Sequence, residues 1–410
     1  MREAFRYFIF VGLLTLALFV APFDLISTAQ LSGGQATNDI ASALDDNQNR
    51  VLDDAEILNA IQLWILGEAM PGGEVISDES ILSLVQLWIT GETISLALMS
   101  DDDGGDVPAP TRCTEAAGTF LSKFGETGTT EDHHFYDARG IAADNAGNVY
   151  VSELELNAVK KFDVNGAFVS KWFTKGSDDV QRWSPRRVAV DSAGNIYVSH
   201  FINLEGAPAG VQKFSADGTF LTEWGSRGSG DGRFSHPIGV AVDSKGNVYV
   251  ADSGNHRIQK FDSDGTYLTQ WSLSILNRMT PSDIAVDSQD NIYVSDTDDD
   301  RILKFDSEGK LLTEWGKNGF QNSEFQRPIG VAVDHQDNVY VADADNHRVQ
   351  KFDANGTFLT TWGSQGNADG QLSFPHGLAV DRSGHVYVAD SGNNRIQKFC
   401  GGMSPVDAAP

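Results

Sequence analysis

Basic residues, cysteines and long apolar runs are all scarce in this chain. Only 30 of its 410 residues are Lys or Arg, against 57 Asp or Glu, and the net charge is −27. A chain this acidic repels phosphate backbones, which excludes a general nucleic-acid binder. Two cysteines exclude a disulfide-rich scaffold and a four-cysteine zinc site. Beyond the N-terminus no apolar run approaches the ~20 residues that span a bilayer. Proline is sparse at 12 residues and glycine abundant at 41, so turns are many. Hydrophobic residues make up 40% and aromatics 10%, enough for a packed core and against a wholly disordered chain.

The first residues have the pattern of a targeting segment. Arg2 and Arg6 precede an apolar stretch from Tyr7 to Ala21, and Ser27-Thr28-Ala29 offers small residues before a cut at Gln30. A basic n-region, a short h-region and a small-residue site predict a secretory signal peptide over 1–29, with an uncleaved anchor as the weaker alternative. The mature protein is then secreted, periplasmic or at the cell surface, with no membrane span once the signal is removed.

Residues 36–98 predict a small helical module. Ile57–Glu68 and Ile81–Glu92 repeat at an offset of 24, each with apolar residues at helical spacing and a Gly near its end. Before the first helix, Asp45, Asn47, Asn49, Val51, Asp53 and Glu56 occupy positions 1, 3, 5, 7, 9 and 12 of a twelve-residue loop. These positions supply the oxygen ligands of a calcium loop, although Arg50 stands where Gly is usual. The segment resembles EF-hand and dockerin-like modules, which implies calcium as cofactor and a docking role. An acidic linker with Gly and Pro follows over 99–112.

From residue 113 to 400 the chain repeats. An apolar stretch ends in Asp144, Asp191, Asp243, Asp287, Asp334 and Asp381, and a Tyr follows each Asp after six residues. Each unit then carries Lys-Phe, and five of the six end in Trp. Within one unit the turns Ser244–Asn247 and Asp262–Gly265 separate four short apolar or alternating stretches. Four antiparallel strands at this period predict an all-β propeller of six blades. The sixth unit stops at Phe399-Cys400, before its fourth strand. Gly118–Gly125 has the pattern of that missing strand, so the N-terminal strand is expected to close the ring. The same closure brings Cys113 and Cys400 to one corner, where an exported protein would form a disulfide. Residues 401–410 form a tail.

Pro237–Asp243, Gly246–Asp252 and Asn255–Phe261 together resemble the NHL repeat, and units five and six match it as closely. The resemblance implies a six-bladed propeller but fixes no function, since propellers host binding and catalysis alike. The repeat pairs Asp252 with Arg257, Asp296 with Arg301, Asp343 with Arg348 and Asp390 with Arg395. Units one and two lose both members together, so these are expected as structural pairs and not as a catalytic set.

Where units one and two depart from the repeat they offer Arg139, Trp183, Arg186, Arg187, His200 and Phe201. With His376 these are the expected ligand-binding patch. The position preceding the Gly-Val-Ala motif reads Arg139, Arg186, Ile238, Ser282, Ile329 and His376, a mixed set. Peptidylglycine amidating lyase, a family that uses the same propeller, places metal-binding His in Pro-His steps of several blades; here only Pro375-His376 matches, so zinc is not expected there. No catalytic residue is assigned. The expected function is non-catalytic binding of an extracellular protein, peptide or glycan by a monomer. The alternative is a metal-dependent lyase or hydrolase at the channel mouth, resembling amidating lyase, streptogramin lyase or gluconolactonase.

Overall fold

The computed structural model describes residues 113–128, 132–174, 183–201, 209–272 and 279–402. The signal segment, the helical module with its calcium loop, and the acidic linker lie outside the described residues, as does the tail beyond 402. No helix among the described residues is long and apolar enough to cross a membrane.

Six four-stranded antiparallel sheets follow one another along the chain. Blade 1 comprises Ala138–Ala143, Val149–Glu153, Ala158–Phe162 and Phe168–Phe173. Blade 2 comprises Pro185–Val190, Ile196–Phe201, Ala209–Phe214 and Phe220–Trp224. Blades 3, 4 and 5 begin at Pro237, Pro281 and Pro328 and end at Trp271, Trp315 and Trp362. Blade 6 takes three strands, Pro375–Val380, His385–Asp390 and Arg395–Cys400, from the end of the chain. Its fourth, Phe120–Phe124, comes from the beginning and pairs Phe120 with Phe399 and Phe124 with Ile396. The innermost strand of each blade touches that of the next, and the sixth touches the first. Cys113 and Cys400 form a disulfide beside this seam.

The repeated residues explain the repeated geometry. Each Asp sits at the end of an innermost strand and its Oδ1 caps the following turn, as Asp243 does for the N–H groups of Lys245 and Asn247. Its Oδ2 accepts from the Tyr six residues on, at 2.8 to 3.1 Å in all six blades. Burial and the facing carboxylate push these phenols above their ordinary pKa, so they stay protonated donors.

In blades 2 to 6 the Lys of the Lys-Phe step bridges to the next blade. Lys213, Lys260, Lys304 and Lys351 donate to carbonyls of Ser263, Ser307, Ala354 and Gly401 in the following blade. Lys398 of blade 6 donates to Val164 of blade 1 across the seam. The closing Trp packs on a turn glycine of the next blade. Gly265, at φ +87°, faces Trp224 so closely that a Cβ would lie 2.4 Å from the indole. At the seam Phe124 takes the place of Trp, against Gly166.

Candidate functional site at the channel mouth

Arg139, Arg186, Ile238, Ser282, Ile329 and His376 are each the second residue of an innermost strand, so the ring brings all six to one end of the channel. Of the expected ligand patch, Arg139, Arg186 and His376 keep partial exposure. Trp183, Arg187, His200 and Phe201 are buried, between 1% and 8% exposed.

The buried four have structural partners. The His200 ring stacks on Trp183 with centroids 4.2 Å apart. Burial drops the His200 pKa to about 3, so it is a neutral aromatic at any physiological pH. The Arg186 guanidinium lies over the Phe201 ring at 4.0 Å, a cation–π contact. Arg187 donates to the Arg139 carbonyl at 2.7 Å.

Arg187 also crosses the channel. Its Nε lies 3.1 Å from Asp283 Oδ2, and blades 2 and 4 are not neighbours in the ring. Four blades have Gly at this position, namely Gly140, Gly239, Gly330 and Gly377. At Gly330 a Cβ would lie 2.0 Å from the His376 carbonyl oxygen of the next blade. Two blades break the pattern with opposite charges, and those charges meet. Full burial raises the Asp283 pKa while Arg187 draws it back.

The charges acting on His376 are arginines. Burial and the nearby Arg187, Arg139 and Arg327 hold His376 down to about 3. Burial, Arg139 and Arg187 lower Arg186 to about 10, still cationic at neutral pH. Arg139 has a local counter-ion, with Asp137 at 2.9 Å. Arg186 Nε and Arg187 Nη2 are buried and have no hydrogen-bond partner. A guanidinium N–H without an acceptor favours an anion that reaches it.

The Asp–Arg pairs lie away from this cluster's chemistry, in the loops between second and third strands. Arg Nε meets Asp Oδ2 at 2.7 or 2.8 Å in blades 3 to 6, and each Asp is fully buried. Asp390 also receives Ser373 N–H, Asn393 Nδ2 and Gln397 Nε2, while Arg395 donates to three loop carbonyls. Blade 1 replaces this pair in a way that sequence spacing did not reveal. Glu153 stands at the Asp position, and its partner is Lys160, at 3.4 Å with both side chains fully buried. The cation has moved two residues along the strand, to the position of Gln259 in blade 3. The clue was a Lys-Lys-Phe in place of Gln-Lys-Phe.

The NHL repeat profile matches residues 234–261, 279–305, 325–352 and 372–399. No curated protein sequence matches the chain. Among solved structures, a protein of unknown function from Bacteroides thetaiotaomicron VPI-5482 aligns at TM-score 0.53 and 19% identity, over 71% of this chain and 75% of its own. An auxiliary nutrient binding protein from the same organism aligns at 0.51 and 14%, over 70% and 75%. A streptogramin B lyase aligns at 0.49 and 18%, over 70% and 99%. At these identities the likeness shows the fold alone. The chain therefore carries NHL repeats in blades 3 to 6 of a six-bladed β-propeller.

Proposed function

We propose that this protein is an exported, non-catalytic binding propeller whose channel mouth recognises an anionic group on an extracellular protein, peptide or glycan. The observation that carries this reading is the cluster of Arg139, Arg186 and Arg187 beside neutral His376, in which Arg186 Nε lacks an acceptor while Arg139 and Arg187 meet Asp137 and Asp283. Residues 113–400 hold 26 Lys and Arg against 39 Asp and Glu, a net of −13. The ring thus repels an extended polyanion, and the mouth suits a single carboxylate or sulfate presented on a larger partner. The disulfide supports an oxidising compartment. The loop of Asp45, Asn47, Asn49, Val51, Asp53 and Glu56 adds a calcium-dependent docking module to this reading, and one calcium per chain, absent in Glu56→Ala, is its expected signature. The lyase or hydrolase alternative has less support: the mouth offers one imidazole among arginines, and arginines oppose a catalytic cation.

The test is retention of the chain on arrays of acidic and neutral peptides and oligosaccharides at low and high salt. Acidic ligands should be retained in a salt-sensitive manner and weakened at least tenfold by Arg139→Ala with Arg186→Ala. Equal retention by that variant would refute the site. Chemical conversion of a bound ligand would replace binding with the lyase reading.

A further inference from the structure

After the closing strand the chain makes a two-residue strand, Glu126–Thr127, that pairs in parallel with His134–Phe135. The register sets Glu126 beside His134, with His133 next to it. One ligating atom from each of Glu126, His133 and His134 falls within 4.8 Å of the other two. Glu126 and His133 are exposed and His134 is half-buried. His134 Nδ1 is nevertheless covered and has no hydrogen-bond partner.

The other blades show what this corner does without such donors. The same parallel bridge recurs as Arg227 with Phe234, Asn318 with Phe325 and Gln365 with Leu372. At the places of Glu126, His133 and His134 those corners carry Ser226, Gly232 and Arg233; Lys317, Ser323 and Glu324; and Ser364, Gly370 and Gln371. Where the third residue is an acceptor, the loop satisfies it: Glu324 receives Phe320 and Gln321 N–H, and Gln371 receives Ala368 N–H. Lys317 and Glu324 touch at 3.2 Å, so side chains at the first and third places of this corner do meet. Among the described corners, only that before blade 1 assembles two imidazoles and a carboxylate.

We propose that Glu126, His133 and His134 form a binding site for a divalent transition-metal ion of the zinc class. Two nitrogens and one carboxylate oxygen suit zinc, nickel or cobalt better than calcium or magnesium, which prefer all-oxygen shells. Donors around zinc stand about 3.3–3.5 Å apart, so closure needs roughly 1 Å of rotation by exposed side chains. Three protein ligands leave a fourth position for water. Gly128 makes room beside the imidazole, since a Cβ there would lie 2.5 Å from His134 Nδ1. His134 is also anchored from behind: its carbonyl accepts from buried Lys160, which pairs with Glu153. Such outer partners hold a ligand's orientation. Asp132 is left out, being engaged by Lys171 at 2.6 Å. The site is separate from the Pro375-His376 position at the channel mouth, and it joins the exit of the closing strand to the entry of blade 1.

The test uses the full chain in calcium-saturated buffer, so that acidic loops are occupied, titrated calorimetrically with zinc chloride and spectroscopically with cobalt chloride. One zinc per chain and a tetrahedral cobalt absorption are expected. His133→Ala and His134→Ala should each weaken binding at least tenfold, as should Glu126→Gln, which keeps both imidazoles. His335→Ala, an exposed histidine elsewhere in the ring, should change nothing. Circular dichroism identifies any variant that fails to fold. Unchanged zinc affinity in the folded Glu126→Gln and His133→Ala variants, or equal loss in His335→Ala, would overturn the site.

Discussion

Blades 3 to 6 and blades 1 and 2 answer one packing problem in different ways. Every blade must fix the loop between its second and third strands, and the residue paired with the first residue of the innermost strand sits at its start. Blades 3 to 6 place an Asp there, fully buried, and surround it with Arg Nε and further donors. Blade 1 keeps a charge pair but shifts its cation two residues, to Lys160. Blade 2 abandons charge and stacks neutral His200 on Trp183. The backbone tolerates all three because it asks only that the position be filled, and blade 2 fills it while leaving His200 Nδ1 buried without a hydrogen-bond partner. The regular solution is the most exacting, since each of its groups is expensive to bury without the others.

The largest expected effect comes from breaking a regular pair. Arg348→Ala leaves the Asp343 carboxylate buried and should cost about 3–5 kcal/mol, roughly 10 °C in melting temperature for a ring of this size. His200→Ala, at the equivalent place in blade 2, removes stacking alone and should cost about 1–3 kcal/mol. Equal shifts in thermal denaturation would erase the distinction.

Next in size is an attempt to convert blade 2. His200→Asp buries a carboxylate with no cation at hand and should destabilise by a few kcal/mol. Adding Gly210→Arg, which restores the repeat's residue, should not rescue it. A Cβ at residue 210 would lie 2.3 Å from the Trp224 carbonyl oxygen, so the strand has no space for the arginine. Recovery of the melting temperature in the double variant would show that blade 2 is merely a degenerate regular blade.

The smallest effect separates blade 1 by pH. Burial pushes the Glu153 carboxyl up to about 7, against an ordinary 4.5. Between those values the unfolded chain releases the proton that the folded chain retains, so Glu153 makes stability fall as pH rises from about 4.5 to about 7. Glu153→Gln removes this slope. The variant's stability should gain on the parent's across that interval, by at most roughly 3 kcal/mol. Parallel pH profiles of stability for the two proteins would show that Glu153 is ionised throughout that interval.

The ring and its seam were legible in the sequence, because Gly118–Gly125 copies Gly356–Gly363 and the terminal unit lacks that piece. The partnering of Asp with Arg was legible for a similar reason, since blades 1 and 2 lose both together. The innermost strand of blade 3 begins at Pro237, two residues before its Gly-Val-Ala run. A strand start set by contact with the neighbouring blade leaves little trace in local periodicity. The channel-crossing Arg187–Asp283 contact went unread for the same reason, because it joins non-adjacent units. Its one trace was the replacement of glycine by opposite charges at equivalent positions. Trp183 and Phe201 carry the composition of a binding surface, yet sequence cannot tell an aromatic anchor offered to a partner from one turned inward to fill a place left by a lost ion pair.

The staple at the seam has a mechanical consequence. Cys113 and Cys400 are separated by 287 residues along the chain but by 5.5 Å between their Cα atoms. Tension applied to whatever precedes Cys113 and whatever follows Cys400 runs through the sulfur bridge and bypasses every blade. The ring hangs beside the line of force as an unloaded loop. Its blades would keep their shape under a pull that would otherwise peel Phe120–Phe124 from its partner strand, and reduction of one bond would turn this sheltered ring into the weakest link of the chain.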